Sequence, residues 1–424
     1  MRVGRGVAWL LGLTSCDGAT LPTLTPDPLR PTALVAFQTP APERAWLEFT
    51  SAGQPDRRSS TELEPRTDHY FRLAGVEPGS LVWWRAVWGE SRHERSRWRA
   101  WAVDRFELPD HSRIVTGRGS DDPGYLTLPG RGDTVWIVNG DGEVVWWWRF
   151  PDEVVTARLR LRGDRVWAST SDAESDHASF ASINLDGTEM IEAPVTHHHD
   201  FLLVEDRLVY LRRVLGTGPD GQPWTGDEIV EVEDDQDRVV WSTFDDVSFE
   251  VAGDKQVSGG LDWTHCNGIY FDPGEDAYWV SCRHQEAIFV VNRLGQLLRV
   301  IGGLQSTLLL EGEGFGRLHV PELRGDLMYV FNNSPGTGHR ARAEVYRLDL
   351  GQGSYSLSES YEHPGHHPDN HGNVSPAADG GMMVAFGADG LVELVDRDGE
   401  VTLAIETRGV LYPDYLPTLS RPLP

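Results

Sequence analysis

The sequence predicts an all-β protein, a six-bladed β-propeller preceded by a small β-sandwich. Short runs that alternate apolar and polar residues fill the chain from about residue 30, with turn formers between them. Alternation with a period of two residues is typical of half-buried strands. Hairpin turns then recur around six positions: Gly142, Gly187, Arg238, Gly295, Gly351 and Gly399. Their spacings of 45, 51, 57, 56 and 48 residues, with only β signals between them, are typical of propeller blades.

The first sixteen residues predict a lipoprotein signal segment. Arg2 and Arg5 give a positive start, residues 7–13 (VAWLLGL) form a short apolar run, and a Leu-Thr-Ser-Cys box ends at Cys16. The apolar run is too short to span a bilayer, and the pattern is typical of export signals. We expect Cys16 to carry a lipid and residues 17–29 to form a tether. The expected location is the cell envelope: exported, lipid-anchored, and either periplasmic or on the outer surface.

Residues 30–105 predict the β-sandwich. Their short strands are separated by turn residues, and Pro78-Gly79-Ser80 precedes the fourth of them. The segment LAGVEPGSLVWWRAV resembles the corner of fibronectin type III domains, with Val82 in place of the usual tyrosine. We therefore expect a fibronectin type III-like domain over residues 30–105 and the propeller over residues 106–424.

Composition limits the partners and the cysteine chemistry. The chain has 424 residues and a formal charge of −27, which argues against a nucleic-acid partner, because phosphate binding needs basic patches. It has three cysteines. If Cys16 carries the lipid, then Cys266 and Cys282 remain as a pair in an oxidising compartment, where a disulfide is expected.

The stretch 261–303 predicts two strands joined by a turn and followed by a third strand. The turn is Asp-Pro-Gly-Glu-Asp at residues 272–276. Pairing Phe271 with Ala277 brings Cys266 opposite Cys282, so this register is consistent with a cross-strand disulfide.

The same register gathers polar residues on one face of the hairpin. Because side chains alternate across a strand, His265 and Asn267 share a face with Ser281 and Arg283. A histidine, a carboxamide and an arginine together form a set of donors that suits an oxyanion such as sulfate or phosphate.

This stretch resembles the bacterial aryl sulfotransferase family, whose members need no nucleotide sulfate donor. The resemblance is in D-W-T-H-x-N from Asp262, the Tyr-x-Asp-Pro turn from Tyr270, and S-x-R from Ser281. It implies a propeller over residues 106–424 that transfers a sulfuryl group from an aryl sulfate to an acceptor phenol. It also implies no required cofactor and no metal.

The resemblance also implies roles for individual residues. His319 lies in an element similar to the family's Gln-His motif, although Leu318 replaces the glutamine, and it would form a sulfohistidine. Arg283 and Asn267 would hold the sulfuryl oxygens. His265 would join them or protonate the leaving phenolate.

Further residues complete the expected site. His199, in an element similar to the family's His-His-Asp, is the other candidate acid and base, with His198 as the fallback. His371 begins the last inner strand and is expected to reach the channel, and Tyr412 is expected to face the phenol. Residues 363–371 are rich in histidine, but their prolines and glycine predict a loop, so we expect no metal site there.

Two other functions stay open on the sequence alone. One is a non-catalytic, lipid-anchored propeller that acts as a ligand-binding or scaffold module. The other is a different enzyme on the same fold, such as an ester hydrolase or a lyase, which a divalent ion near residues 363–371 would favour. Convergence of His319 with His265 and Arg283 distinguishes the sulfotransferase from the module.

Overall fold

The structure is a computed structural model that describes most of the chain in nineteen stretches. The described residues are 20–26, 33–51, 57–58, 64–73, 79–89, 94–103, 112–116, 124–129, 131–163, 165–171, 178–185, 190–205, 207–233, 236–249, 255–257, 260–312, 314–333, 340–407 and 412–417. The predicted signal segment with Cys16 lies outside them. No helix in these stretches has the length and apolar character needed to cross a membrane.

The chain divides into two compact units, and the first comprises residues 1–107, 184–188 and 421–424. Its strands are β1 (Thr23–Pro26), β2 (Ala33–Glu43), β3 (Ala45–Ser51), β4 (Arg57–Arg58), β5 (Arg66–Leu73), β6 (Leu81–Trp88), β7 (Glu94–Arg95) and β8 (Arg99–Ala102). They form two antiparallel sheets, β1-β2-β5 and β4-β3-β6-β7, with β8 paired to β6. Val35 and Phe37 from the first sheet share a core with Leu47, Val82 and Trp84 from the second.

The second unit comprises residues 108–183 and 189–420. Its first strands are β9 (Arg113–Thr116), β10 (Tyr125–Leu128), β11 (Arg131–Asn139), β12 (Val144–Arg162), β13 (Arg165–Ser171), β14 (Ala178–Asn184), β15 (Met190–Pro194), β16 (Phe201–Val204), β17 (Arg207–Thr217), β18 (Pro223–Glu233) and β19 (Gln236–Ser242). A single helical turn, α1 (Thr243–Asp246), follows, and then β20 (Lys255–Val257) and β21 (Gly260–Asp262).

The remaining strands of this unit form three further sheets, except the last strand, which pairs with β10. They are β22 (Cys266–Asp272), β23 (Ala277–Cys282), β24 (Ala287–Asn292), β25 (Leu297–Gly302), β26 (Leu309–Glu311), β27 (Leu318–Arg324), β28 (Leu327–Asn332), β29 (Arg342–Asp349), β30 (Ser354–Tyr361), β31 (Asn373–Pro376), β32 (Met382–Phe386), β33 (Leu391–Val395), β34 (Val401–Glu406) and β35 (Tyr415–Leu416). A short 3₁₀ turn spans Gly387–Asp389. The described chain is therefore all-β, as the sequence predicts.

Antiparallel pairing between neighbours in sequence dominates the second unit. The sheets run β15-β14-β13-β12-β11-β10-β35, β16-β17-β18-β21-β20 with β19 on β18, β22-β23-β24-β25, β26-β30-β29-β28-β27 and β31-β32-β33-β34-β9. The first strand, β9, completes the last sheet, and the last strand, β35, completes the first. This exchange covers sheet edges that would otherwise expose unpaired backbone groups.

The predicted turns mostly coincide with hairpins. Gly142 lies between β11 and β12, Gly295 between β24 and β25, Gly351 between β29 and β30, and Gly399 between β33 and β34. The turn predicted around Arg238 is misplaced, because this residue lies inside β19. The turn predicted at Gly187 lies outside the described residues.

The hairpin β22–β23 differs from the predicted register by one residue. Asp272, not Phe271, pairs with Ala277, and the shift persists to Gly268 opposite Ser281. A bulge between Cys266 and Gly268 then restores the pairing of Cys266 with Cys282. The prediction of a uniform register was wrong because the extra residue of a bulge cannot be read from alternation alone.

A disulfide joins Cys266 and Cys282 at this position. Their sulfur atoms are 1.97 Å apart and both residues are fully buried.

Four strands that each lie at one edge of their sheet meet one another. β16 contacts β22, β22 contacts β27, and β27 contacts β31. Residues at the beginnings of these strands are therefore brought together, although up to 172 positions separate Phe201 from Asn373 in the sequence.

Candidate functional site

The same unusual backbone geometry precedes each of the four converging strands. His199, His265, Arg317 and His371 have φ angles of 57°, 49°, 47° and 58°. This left-handed region is disfavoured for residues with a Cβ, and such strain is concentrated at functional sites. Each residue stands one or two positions before its strand. The fold thus repeats one strained position and fills it each time with a basic or imidazole side chain.

Four predicted histidines and Tyr412 converge here. The ring centroid of His199 is 5.1 Å from that of His265 and 6.3 Å from that of Tyr412. Tyr412 is in turn 6.0 Å from His319 and 5.8 Å from His371, and these two histidines are 6.2 Å apart. Tyr412 therefore stands among three of the histidines.

Asn333 determines which nitrogen of His319 carries the proton. Its Oδ1 is 2.5 Å from Nδ1 of His319, and its Nδ2 donates to the carbonyl oxygens of Pro368 (2.9 Å) and His371 (3.0 Å). Since carbonyl oxygens only accept, the amide nitrogen must face them and Oδ1 must face His319. Nδ1 of His319 therefore donates, and Nε2 of the neutral ring keeps its lone pair.

The surroundings of His319 favour the neutral ring. The side chain is 2 % exposed. Burial lowers the pKa of His319 well below its usual value of 6.5, and the neighbouring His371 and Arg283 add repulsion. An uncharged imidazole with a free Nε2 is a competent nucleophile at neutral pH.

Arg283 supplies a buried positive charge with spare hydrogen-bonding capacity. The residue is 7 % exposed, and its Nη2 donates to the carbonyl oxygen of Asp369 (3.3 Å). Its Nε has no hydrogen-bond partner among the described residues, and neither has the hydroxyl of Tyr412. Buried donors without partners are rare, and a guanidinium of this kind suits an oxyanion.

His265 is paired with an acid that the sequence analysis did not select. Nδ1 of His265 is 2.5 Å from Oδ2 of Asp262, which is itself buried. The carboxylate accepts the Nδ1 proton and leaves Nε2 on the other side of the ring. The Asp-x-x-His spacing in D-W-T-H was the signal that could have identified Asp262.

His199 is paired with His198, the fallback residue of the prediction. The two Nδ1 atoms are 2.8 Å apart, and Nε2 of His198 is 2.9 Å from Oδ1 of Asp227. Burial lowers the pKa of His199 well below its usual value, and His198 and His265 contribute. His199 thus reaches the histidine cluster directly, whereas His198 links it to Asp227.

Asn267 lies in the site but is largely occupied by structural bonds. Its Oδ1 accepts from the hydroxyl of Ser281 (2.8 Å), and its Nδ2 donates to the carbonyl oxygen of Leu318 (2.9 Å). Leu318 directly precedes His319, so Asn267 ties the hairpin to the strand that carries the nucleophile candidate. One Nδ2 proton remains for a ligand.

The loop at residues 363–371 contributes only part of its histidines to this region. His371 joins the cluster, whereas His363 lies 3.9 Å from a carboxylate oxygen of Glu393, and His366 lies 3.6 Å from one of Asp389. These two rings are thus turned toward the last sheet. Among the described residues, the group suited to a metal ion is instead Asp262, His265 and His284.

A second buried cluster joins the strands that carry the site. Arg158, fully buried in β12, contacts Asp200 (3.2 Å), Glu322 (3.2 Å) and Asp414. Arg160 contacts Asp414 at 2.8 Å. Burial, together with the charge of Asp414, raises the pKa of Glu322 to about 7. Sequence reasoning missed this cluster because its members are scattered over the whole unit.

Comparison with known proteins agrees with the predicted family. The model of the arylsulfotransferase (ASST) family matches residues 104–306. The resemblance is thus confirmed over these residues: this segment is an arylsulfotransferase-family segment. The match ends before His319, whose position is defined here by the geometry. The family suggests aryl sulfate sulfotransferase activity, with aryl sulfates and phenols as fitting substrates.

Solved structures give weaker similarities. A protein of unknown function from Bacteroides caccae is 14 % identical over 69 % of this chain and 99 % of its own, with a TM-score of 0.42. The periplasmic gluconolactonase of Pseudomonas aeruginosa is 12 % identical over 88 % and 99 %, with a TM-score of 0.37. Virginiamycin B lyase from Staphylococcus aureus is 12 % identical over 69 % and 73 %, with a TM-score of 0.32. No curated protein matches the chain significantly.

Proposed function

We propose that this protein transfers a sulfuryl group from an aryl sulfate to an acceptor phenol through a sulfohistidine at His319. The observation that carries the proposal is the contact of 2.5 Å between Nδ1 of His319 and Oδ1 of Asn333, which leaves the lone pair on Nε2 of His319. Near this ring lies a buried Arg283 whose Nε has no partner among the described residues. One group is suited to attack sulfur, and the other is suited to neutralise the sulfuryl oxygens.

In the first half-reaction, the Nε2 lone pair of His319 attacks sulfur. The bond between sulfur and the aryl oxygen breaks, and its electron pair leaves with the phenolate. The ring retains its Nδ1 proton and becomes positively charged, and Oδ1 of Asn333 accepts a stronger hydrogen bond from that proton. His265, carrying a proton on each nitrogen with the Nδ1 proton bound by Asp262, gives its Nε2 proton to the phenolate, whose ordinary pKa of about 10 makes modest help sufficient. The lowered pKa of His199 leaves its ring neutral, so it does not act as the acid in this step.

In the second half-reaction, the acceptor phenol replaces the first product. His265 takes the phenolic proton, and the phenol oxygen attacks sulfur. The bond between sulfur and Nε2 of His319 then breaks. Arg283 and the remaining Nδ2 proton of Asn267 hold the sulfuryl oxygens in both steps. Two half-reactions through one covalent intermediate predict ping-pong kinetics.

Tyr412 and His371 complete the substrate pocket in this proposal. Burial raises the pKa of Tyr412, so its hydroxyl stays protonated and acts as a hydrogen-bond donor. His371 and Tyr412 lie within 5.8 Å of each other, centroid to centroid, and flank His319. Aromatic rings on this side suit the aryl group of donor and acceptor.

The proposal extends to architecture and location. We propose a six-bladed propeller over residues 106–424 and a fibronectin type III-like sandwich over residues 30–105. Support comes from the antiparallel sheets of the second unit, which β9 and β35 close, and from the two sheets of the first. Export and lipid attachment at Cys16 are proposed from the sequence, and the charge of −27 supports a protein without a nucleic-acid partner. The tether is shorter than the predicted residues 17–29, because β1 (Thr23–Pro26) pairs with β2 in the first sheet.

The test is release of a coloured phenol from its sulfate ester by the soluble chain from residue 17 onward. We expect release that depends on added phenol, lost in His319→Asn and retained in His366→Asn, a matched histidine turned away from the site. Release that survives in His319→Asn would move the nucleophile to another residue, with His265 next in line. A folded protein that releases nothing with any phenol would instead support the ligand-binding module.

A further inference from the structure

Three side chains suited to bind a metal ion lie at the edge of the proposed site. Asp262, His265 and His284 each offer one donor atom, and these atoms lie within 4.8 Å of one another. The ring centroids of His265 and His284 are 4.8 Å apart. The proposed sulfuryl transfer uses His265 but gives no role to His284.

The backbone holds these three residues in place without an ion. The amide of Arg283 donates to the carbonyl oxygen of His265 (2.9 Å), and the amide of His284 donates to that of Thr264 (3.1 Å). Nδ1 of His284 is 2.8 Å from the carbonyl oxygen of Asp262. These hydrogen bonds hold residues 262–265 against residues 283–284, next to the disulfide between Cys266 and Cys282. An ion would meet ligands that are already ordered, which lowers the entropy cost of binding.

The ligand types decide which ions fit. Two imidazoles and one carboxylate are a common ligand set for Zn²⁺ at sites that keep an open position. The guanidinium of Arg283, with Nη1 3.5 Å from Nε2 of His284, repels any cation. Only ions with strong affinity for imidazole overcome this repulsion, which favours the late first-row divalent metals over Mg²⁺ or Ca²⁺.

We propose that Asp262, His265 and His284 form a binding site for a late first-row divalent ion such as Zn²⁺, and that the bound ion inhibits sulfuryl transfer. The ion displaces the Nδ1 proton that His265 shares with Asp262, and this proton passes to solvent. The metal-bound ring keeps its proton on Nε2 and can no longer give a proton to one phenol and take a proton from the next. The binding claim stands alone, whereas the inhibition rests on the proposed function.

Binding is tested with Zn²⁺ alone, by calorimetric titration of the purified chain in the absence of substrate. We expect one saturable site per chain, at least about 10-fold weaker in His284→Asn and in His284→Gln, because even an outer-sphere partner contributes that much to metal affinity. His366→Asn is the matched control and should bind as the native chain does. Equal thermal denaturation midpoints will show that the variants are folded.

Absence of saturable binding would overturn the proposal. Zn²⁺ binding that is weakened in His366→Asn but not in His284→Asn would also overturn the proposal. It would assign the ion to the loop at residues 363–371. Because no substrate is present, failure of the proposed enzymatic activity would leave this result unchanged.

Inhibition is tested by phenol release with increasing Zn²⁺. We expect a native protein inhibited by Zn²⁺ and restored by a chelator, and a His284→Asn variant that is active but at least about 10-fold less sensitive. Equal sensitivity of the two proteins would overturn the proposed inhibitory role.

Discussion

The pH dependence of an Asn333→Asp variant tests the tautomer and charge assigned to His319. In the native protein, burial and the neighbours His371 and Arg283 keep the pKa of His319 well below 6.5. Attack needs the neutral ring, so the acid limb of kcat/KM should lie below pH 6.5.

The substitution keeps an acceptor oxygen beside Nδ1 but makes it part of a carboxylate. Opposite charges about 4 Å apart attract by about 4 kcal/mol at an effective dielectric constant of about 20, which is about 3 pKa units. The carboxylate stabilises the imidazolium, so the pKa of His319 rises. The acid limb should therefore move up by as much as about 3 units, and activity lost below the new limb should return as pH rises.

Initial rates of phenol release, measured from mildly acidic to mildly basic pH, give the position of this limb. Asn139→Asp, at the end of β11, is the control and should leave the acid limb unchanged. An Asn333→Asp variant that is folded and shows the native acid limb would refute the assignment of Oδ1 to Nδ1 of His319.

Three further predictions concern the disulfide, the anion site and a buried acid. Replacing Cys266 and Cys282 by serine, 16 residues apart, should lower the free energy of unfolding by about 3 kcal/mol in denaturant titrations. Arg283→Lys keeps the positive charge but loses the planar guanidinium with its fixed set of N–H donors. The KM for the aryl sulfate should therefore rise about 10-fold. Since the pKa of Glu322 is raised from 4.5 to about 7, native stability should fall across that pH range, by at most about 3 kcal/mol. Glu322→Gln should remove this fall.

Each of these three predictions would be contradicted by a specific result. Unchanged stability of the serine variant would mean that the disulfide contributes nothing to the fold. A native KM in Arg283→Lys would show that the guanidinium geometry does not hold the sulfuryl group. Stability that rises between pH 4.5 and 7 in the native protein, relative to Glu322→Gln, would show that Glu322 is stabilised as the anion.

Much of the fold was predictable because strand signals are local. Alternation and turn residues identified the all-β class and the hairpins at Gly142, Gly295 and Gly399 without reference to distant residues. The register of β22–β23 was one residue wrong over most of its length, because the bulge at Asn267 depends on how the hairpin packs. The prediction that Cys266 lies opposite Cys282 nevertheless agreed with the structure. The extra residue of the bulge cancels the one-residue shift and returns this pair to the predicted register.

The positions of candidate residues were predictable where one short motif contains them. The amide of Arg283 donates to the carbonyl oxygen of His265, so these two residues lie opposite each other, as the hairpin that contains both predicts. Asp262 was overlooked although it stands three residues from His265. Asn333 was overlooked because its importance lies in a hydrogen bond to His319 from the other end of a hairpin.

The sequence alone determined the class of fold, the family of residues 104–306 and the residue types available for anion binding. These properties depend on neighbours within a few positions of the chain. Only the tertiary structure decided that His199, His319, His371 and Tyr412 meet, which nitrogen of His319 is free, and that His284 stands beside His265. Those facts depend on the convergence of β16, β22, β27 and β31, and no local pattern encodes contacts between strands that lie in different sheets.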